Sequence, residues 1–164
     1  MISFVRIDDR MIHGQTVTRW ALEYPCDGIV AVNDAAAENN LLKQAYKGAV
    51  PDKKVFVWTL AHFLEKKDAV LSSDKKYFLI TKNPVDMKKI LVDHAVDPSG
   101  IRQVVVGPCN DRPNTVKLGN NQSITQEEAQ AFEAMENAGF DVWFCLIKEK
   151  AIGHWPDFRS KFEL

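Results

Sequence analysis

Eight consecutive residues, Asp8-Asp9-Arg10-Met11-Ile12-His13-Gly14-Gln15, concentrate two acids, an arginine and a histidine immediately ahead of a helical pattern. An imidazole titrates near neutral pH, so its neutral ring is a competent nucleophile that takes a phosphoryl group on nitrogen and passes it on. The nearly dianionic product has to be held. A helix N-terminus supplies unpaired N–H groups and the positive end of a dipole, and Gly14 would let backbone approach. Arg10 would add a charge-assisted contact, each such bond contributing about 1.5–3 kcal/mol. Asp8 and Asp9 would be repelled by a phosphoryl group and should point away, orienting Arg10 or accepting the N–H of the unreactive ring nitrogen, unless they only favour the turn.

The same residues permit other chemistry. His13 with Asp9 would serve as a general acid/base pair on a small phosphorylated metabolite. A non-catalytic module sensing an anion at the helix N-terminus is a third reading. His94 shares a helical face with Met87, Ile90 and Leu91 and reads as structural; His62 and His154 read as surface or packing residues. No histidine pair has metal-ligand spacing, so neither metal nor cofactor is expected. Neither G-x-G-x-x-G, G-x-x-x-x-G-K-[ST] nor G-x-S-x-G occurs, which disfavours dinucleotide binding, nucleotide hydrolysis and serine-hydrolase chemistry.

The elements that must carry this loop alternate along the chain. Strand-length apolar runs lie at Ile2–Ile7, Ile29–Asn33, Val55–Trp58, Tyr77–Ile80, Gln103–Val106 and Val142–Ile147. Most are nearly continuous in Val, Ile and Phe, as strands covered on both faces read. Helices are expected between them. One carries Val17, Trp20, Ala21 and Tyr24 and stops at Pro25; one is capped by Asp34 and carries Leu41, Leu42, Ala45 and Tyr46. A short one follows Thr59, one opens at Asn83-Pro84, and one runs from the Thr125–Glu128 capping box to Gly139. The fold class is therefore α/β, an open, mostly parallel sheet with helices on both faces. Thr115–Leu118 and Gln122–Ile124 form a small hairpin insertion around Gly119-Asn120-Asn121. Trp155, Phe158 and Phe162 are spaced for a short tail helix from about residue 151. Open sheets of this kind bind ligands beyond the C-terminal strand ends. The loops at stake are 8–15, 33–34, Thr59, 81–83 and 107–112.

With 164 residues, 46% of them apolar, residues 1–164 are expected to form one domain. The net charge of −1 supplies no basic excess for nucleic acid. No apolar run reaches bilayer length and no leader pattern opens the chain, so a cytoplasmic location without direct membrane insertion is expected. Three widely spaced cysteines, Cys26, Cys109 and Cys145, fit reduced thiols, with Cys145 in the core.

Arg6-Ile7-Asp8-Asp9-Arg10-Met11-Ile12-His13-Gly14-Gln15 resembles the active-site signature of the IIB component of the mannose-type (mannose/fructose/sorbose) bacterial sugar phosphotransferase system. The resemblance extends through Val32-Asn33-Asp34, Thr81-Lys82-Asn83-Pro84, Val106-Gly107 and the helix from Thr125 to Gly139, up to about Glu149. The turn Gly107–Arg112 and the long aromatic tail depart from the family pattern. The resemblance implies a protein-Nπ-phosphohistidine–sugar phosphotransferase. His13 would be phosphorylated at Nδ1 by a histidine of the IIA component, and the group passed to a sugar imported through the membrane components IIC and IID. It implies that Arg10 assists transfer and that Asp9, Gly14, Gln15 and Arg6 bind phosphate or support the loop. IIA is expected as a separate chain, because Met1 leads directly into the first strand, and membrane association is expected through IIC and IID.

Overall fold

The computed structural model describes Met1–Leu164. Its elements are β1 (Ile2–Ile7), α1 (Gly14–Ala21), β2 (Gly28–Val32), α2 (Asp34–Ala37), α3 (Asn40–Ala49), β3 (Lys54–Trp58), α4 (Leu60–Ser72) and β4 (Tyr77–Thr81). There follow α5 (Pro84–Lys88), β5 (Gln103–Val106), the hairpin β6 (Val116–Gly119) and β7 (Gln122–Ile124), α6 (Gln126–Asn137), β8 (Asp141–Cys145) and β9 (Ala151–His154).

Seven strands form one sheet in the order β3-β2-β4-β1-β5-β8-β9, and β6-β7 pair separately. All neighbours in the large sheet are parallel except β8 and β9. Both faces are covered, which is why the strands read as unbroken apolar runs. Along β2, Val30 and Val32 pack with Phe63, Met87, Phe132 and Trp155 on one face. Ile29 and Ala31 pack with Val17, Trp20 and Tyr46 on the other. No helix is long and apolar enough to cross a membrane.

Three expectations need correction. The helix expected after Asp34 is two helices, because Asn33 caps α2 through Ala36 N (2.9 Å) and Asn39 caps α3 through Leu42 N (3.0 Å). Asparagine competes for backbone N–H groups and so starts helices where they would otherwise continue. Asp34 instead accepts Leu60 N at 2.8 Å, tying the start of α4 to the first turn of α2. Secondly, α1 ends at Ala21, although Tyr24 still stacks on Phe4 at 4.8 Å. Thirdly, α5 widens into a π-helical turn over Lys89–Asp93, which rotates His94 off the apolar face and into solvent.

The tail also differs from a helix. Residues 151–154 form the antiparallel edge strand β9, where Gly153 has φ 143°, and two 3-10 turns follow at Trp155–Asp157 and Arg159–Phe162. The aromatic spacing nonetheless brings Trp155, Phe158 and Phe162 down on one side, all buried. Elsewhere the starts are as the sequence predicts: Thr59, Asn83 and Thr125 cap α4, α5 and α6, the last with a full capping box, but α4, expected to be short, runs for 13 residues because Val70 on its next turns is also buried.

Candidate functional site: the loop after β1

The chain builds outward from β1 through β2 to β3, returns as β4 beside β1, then crosses to β5 on the other side of β1. The C-terminal ends of β4, β1 and β5 thus converge where the strand order reverses, the usual binding crevice of such sheets. The loop after β1 is stitched to both neighbours. Asp8 N donates to Thr81 O (3.0 Å) and Asp9 N to Pro108 O (3.0 Å), while Gly107 N donates to Ile7 O (2.7 Å).

Inside the loop Asp8 is the organiser. It is buried, and its Oδ1 accepts Arg10 N at 2.9 Å and lies 3.6 Å from Arg10 Nε. Its Oδ2 faces Arg6 Nε at 3.4 Å. Met11, buried with φ 56°, completes the tight turn, a conformation that a side-chain-bearing residue adopts only when its surroundings enforce it. Arg10 itself is half-exposed, and its Nη2 donates to Thr16 Oγ1 at 3.2 Å. The guanidinium therefore lies against the first turn of α1, the helix that His13 opens.

His13 occupies the N-cap of α1 in extended conformation, but its side chain caps nothing. Its backbone carbonyl accepts Val17 N at 3.0 Å. That leaves the N–H groups of the first turn without partners from this residue and the ring free for other work. The imidazole is half-buried; Nδ1 is enclosed and makes no hydrogen bond to the protein. Below it a void of about 10 Å³ is lined by His13, Asp8, Arg6, Thr16 and Trp20. Neither acid accepts a bond from the ring.

The remaining residues singled out in the sequence have different positions. Arg6 is 2% exposed and reaches no ligand surface. It donates to Cys145 O (3.1 Å) and Leu146 O (3.0 Å), stacks over Trp20 at 5.4 Å and braces Asp8. Gly107 makes this possible, since a Cβ there would sit 2.3 Å from Arg6 Nη2. Burial pulls the Arg6 pKa down, and Asp8 opposes that shift. Gly14 is required for packing: a Cβ would lie 2.7 Å from Ala49 O at the end of α3. Gln15 is exposed and lines a groove between α1 and the segment 49–52.

Asp9 turns away from His13. Its Oδ2 accepts Asn110 N at 2.8 Å, anchoring the 107–112 loop, while its Oδ1 is enclosed without a partner. Burial raises the Asp9 pKa above the ordinary carboxylate range, with Asp8 adding to the shift and the Asn110 N–H, Arg10 and Arg112 opposing it. The folded state therefore holds this proton more readily than the unfolded chain. The group favours folding below its unfolded pKa, and that contribution disappears as pH rises through the folded one. Asp9→Asn removes the dependence. Denaturant titrations from about pH 3 to pH 7 should show the variant gaining on the wild type as pH increases; a constant difference would refute the account.

Two participants have no individual role in the sequence reading, although the second ends the 107–112 loop that it marks. Thr16 receives Arg10, a role whose only trace is a hydroxyl in the first turn after His13. Arg112 forms a wall of a neighbouring polar cleft of about 380 Å³ with Asp9, Lys82, Asn83 and Asn110. It is pinned there by Glu128 (2.9 Å), Ser123 O (3.1 Å) and Asn110 O (2.9 Å). The three cysteines are free thiols, with Cys109 and Cys145 buried; burial pushes the Cys26 thiol up to about 11. No cluster of His, Cys, Asp and Glu fit to hold a metal ion is present.

Comparison with known proteins gives a consistent result. The chain is 32% identical over 146 residues to the sorbose-specific EIIB component of Klebsiella pneumoniae, covering 84% of this chain and 82% of that one. It is 28% identical over 143 residues to the mannose-specific EIIAB component of Escherichia coli K12, covering 87% of this chain but 43% of that protein. The chain thus spans less than half of that relative. Among solved structures, the IIBSor domain of the Klebsiella pneumoniae sorbose permease superposes with a TM-score of 0.79 at 26% identity, covering 93% of each chain. The crystal structure of manxB from Thermoanaerobacter tengcongensis superposes with a TM-score of 0.82 at 27% identity, covering 99% of this chain and 96% of the other. The family described as PTS system sorbose subfamily IIB component matches residues 2–163, and to that family of sugar-phosphotransferase IIB components the chain belongs.

Proposed function

We propose that His13 is the phosphoryl carrier of this IIB component, accepting the group from a IIA phosphohistidine and passing it to a sugar imported through IIC and IID. The observation that carries the reading is the position of His13. It opens α1 with a side chain that caps nothing, and the first turn of the same helix, at Thr16, receives the half-exposed Arg10 that Asp8 also holds. In the first step the N–P bond of the donor histidine breaks as a ring nitrogen of His13 forms its own. In the second that new bond breaks, an O–P bond forms to a sugar hydroxyl, and the hydroxyl proton is released. Such transfers rest on positioning and on stabilising charge on the moving group, which Arg10 and the free N–H groups of α1 would supply.

Family resemblance favours Nδ1 as the reacting nitrogen. Because Nδ1 is enclosed here, reaction at that atom requires the ring to turn about its side-chain torsions and bring Nδ1 outward. The polar cleft beside the loop and the groove along α1 are the surfaces that donor and acceptor would approach.

Incubation with phosphoenolpyruvate, the two general phosphotransfer proteins and a cognate IIA, followed by intact-mass measurement, tests the proposal. The expected result is one acid-labile phosphoryl group on the wild type and none on His13→Ala. Equal labelling of the two would overturn the assignment. Turnover of a free phosphorylated metabolite without a protein donor would favour the acid/base alternative instead.

A further inference from the structure

We propose that the free edge of β3 is a docking site for an extended acidic segment of a partner protein, which adds to the sheet as a further strand. β3 ends the seven-stranded order, and its only strand neighbour is β2. Lys54 N donates to Asp27 O (3.2 Å) and Trp58 O accepts Asn33 N (3.0 Å), so residues 54, 56 and 58 turn their backbone groups toward β2. Backbone direction alternates along a strand. Val55 and Val57, whose side chains are buried (7% and 4% exposed), therefore turn their N–H and C=O groups away from β2, and neither takes part in a loop backbone bond.

A groove of about 420 Å³ runs along this edge, lined by the consecutive residues 55–59, by Lys43 and Lys47 on one side and by His62 on the other. Its floor offers side-chain contacts of two kinds. Phe56 and Trp58, both half-buried, lie 5.0 Å apart, and His62 meets Trp58 edge-on at 5.2 Å. Lys43 and Lys47, one helical turn apart on α3, form no ion pair with a carboxylate, and Lys54 Nζ hangs 5.8 Å over the Phe56 ring.

Unpaired main-chain groups plus alternate side-chain pockets are what strand addition requires. The lysines decide the occupant. A second copy paired through the same edge would bring two sets of unpaired lysines together, whereas carboxylates on an incoming strand would meet them. The opposite end of the sheet lacks these features. β9 is broken by Gly153 and a register shift against β8, and Ile152 packs toward Gly119 of the hairpin.

Two short blocked peptides serve as probes, one alternating glutamate with valine and the other lysine with valine. Amide NMR spectra of the intact chain are followed during each titration. The expected result is that the acidic peptide alone shifts and protects the Val55 and Val57 amides, while the β2-paired Phe56 amide remains protected throughout. Charge reversal at the half-buried Lys43→Glu with the exposed Lys47→Glu, in a variant whose fold is checked by its unchanged remote amide shifts, should weaken binding roughly tenfold. No binding of the acidic peptide, equal binding of the basic one, an unchanged affinity in the double variant, or shifts confined to other surfaces would each overturn the proposal. Concentration-dependent shifts of the same amides without peptide would show instead that a second copy takes the edge.

Discussion

Arg6→Met should destabilise the protein by about 3–5 kcal/mol, the range found when one partner of a buried ion pair is removed. The substitution keeps an apolar stem of similar length, so little of the loss comes from packing. What disappears is the donor set for Asp8 and Cys145 O, both buried, and for Leu146 O at the edge of that region. Asp8 would retain only its contacts to Arg10, one of them to a half-exposed side chain. Urea unfolding at neutral pH measures the loss. Adding Asp8→Asn to Arg6→Met should recover part of it, because the unpaired buried charge is then gone. A loss below about 1 kcal/mol would show that the guanidinium is dispensable and that the loop is braced from elsewhere.

The second large effect concerns rate and not stability. Arg10→Ala should leave a folded protein whose phosphorylation by IIA is slower by roughly 10- to 150-fold, the equivalent of one hydrogen bond to a charged group worth about 1.5–3 kcal/mol. Arg10 is exposed enough for its removal to open no cavity, and Asp8 keeps Arg6 as a partner. The same assay on Thr16→Val isolates positioning from charge. If Thr16 Oγ1 steadies the guanidinium, the variant should fall between wild type and Arg10→Ala. Wild-type rates in Arg10→Ala would remove the arginine from the transfer step.

Much of the architecture was legible in the sequence because it depends on local rules. The apolar runs with covered faces, the caps at Thr59, Asn83 and Thr125, and the turn at Gly119-Asn120-Asn121 each have a short-range physical cause. The signature loop also stood out, since no other segment joins acids, arginine and histidine ahead of a helix. The failures have equally specific causes. Asn39, a second capping residue inside one apolar period, divided a helix that periodicity alone would extend. A π-helical turn changed the angular step before His94. Gly14 reads in the sequence only as a means of approach to a ligand; the packing reason for a glycine there, Ala49 O, lies on a helix that no periodicity places against it. Arg6 shows what a motif leaves out: it is expected to bind phosphate or support the loop, and it braces Asp8, but its other partners are carbonyls at the far end of the chain that nothing local could reveal.

The central place of β1 has a consequence for how the site comes into being. Both of its partners arrive late: Ile2 pairs with Tyr77, Arg6 pairs with Val105, and the carbonyls that hold Arg6 lie 139 and 140 residues further along the chain. During synthesis the signature loop is thus made early and completed late. Until the segment after β8 has left the ribosome, β1 lacks its restraints, and closure of such long chain separations is slow. A nascent or truncated chain ending before Cys145 would lack the carbonyls that hold Arg6, and with them the support of the Arg6–Asp8 pair beneath the loop. The loop after β1 is thus begun by the first residues of the chain and finished by some of the last.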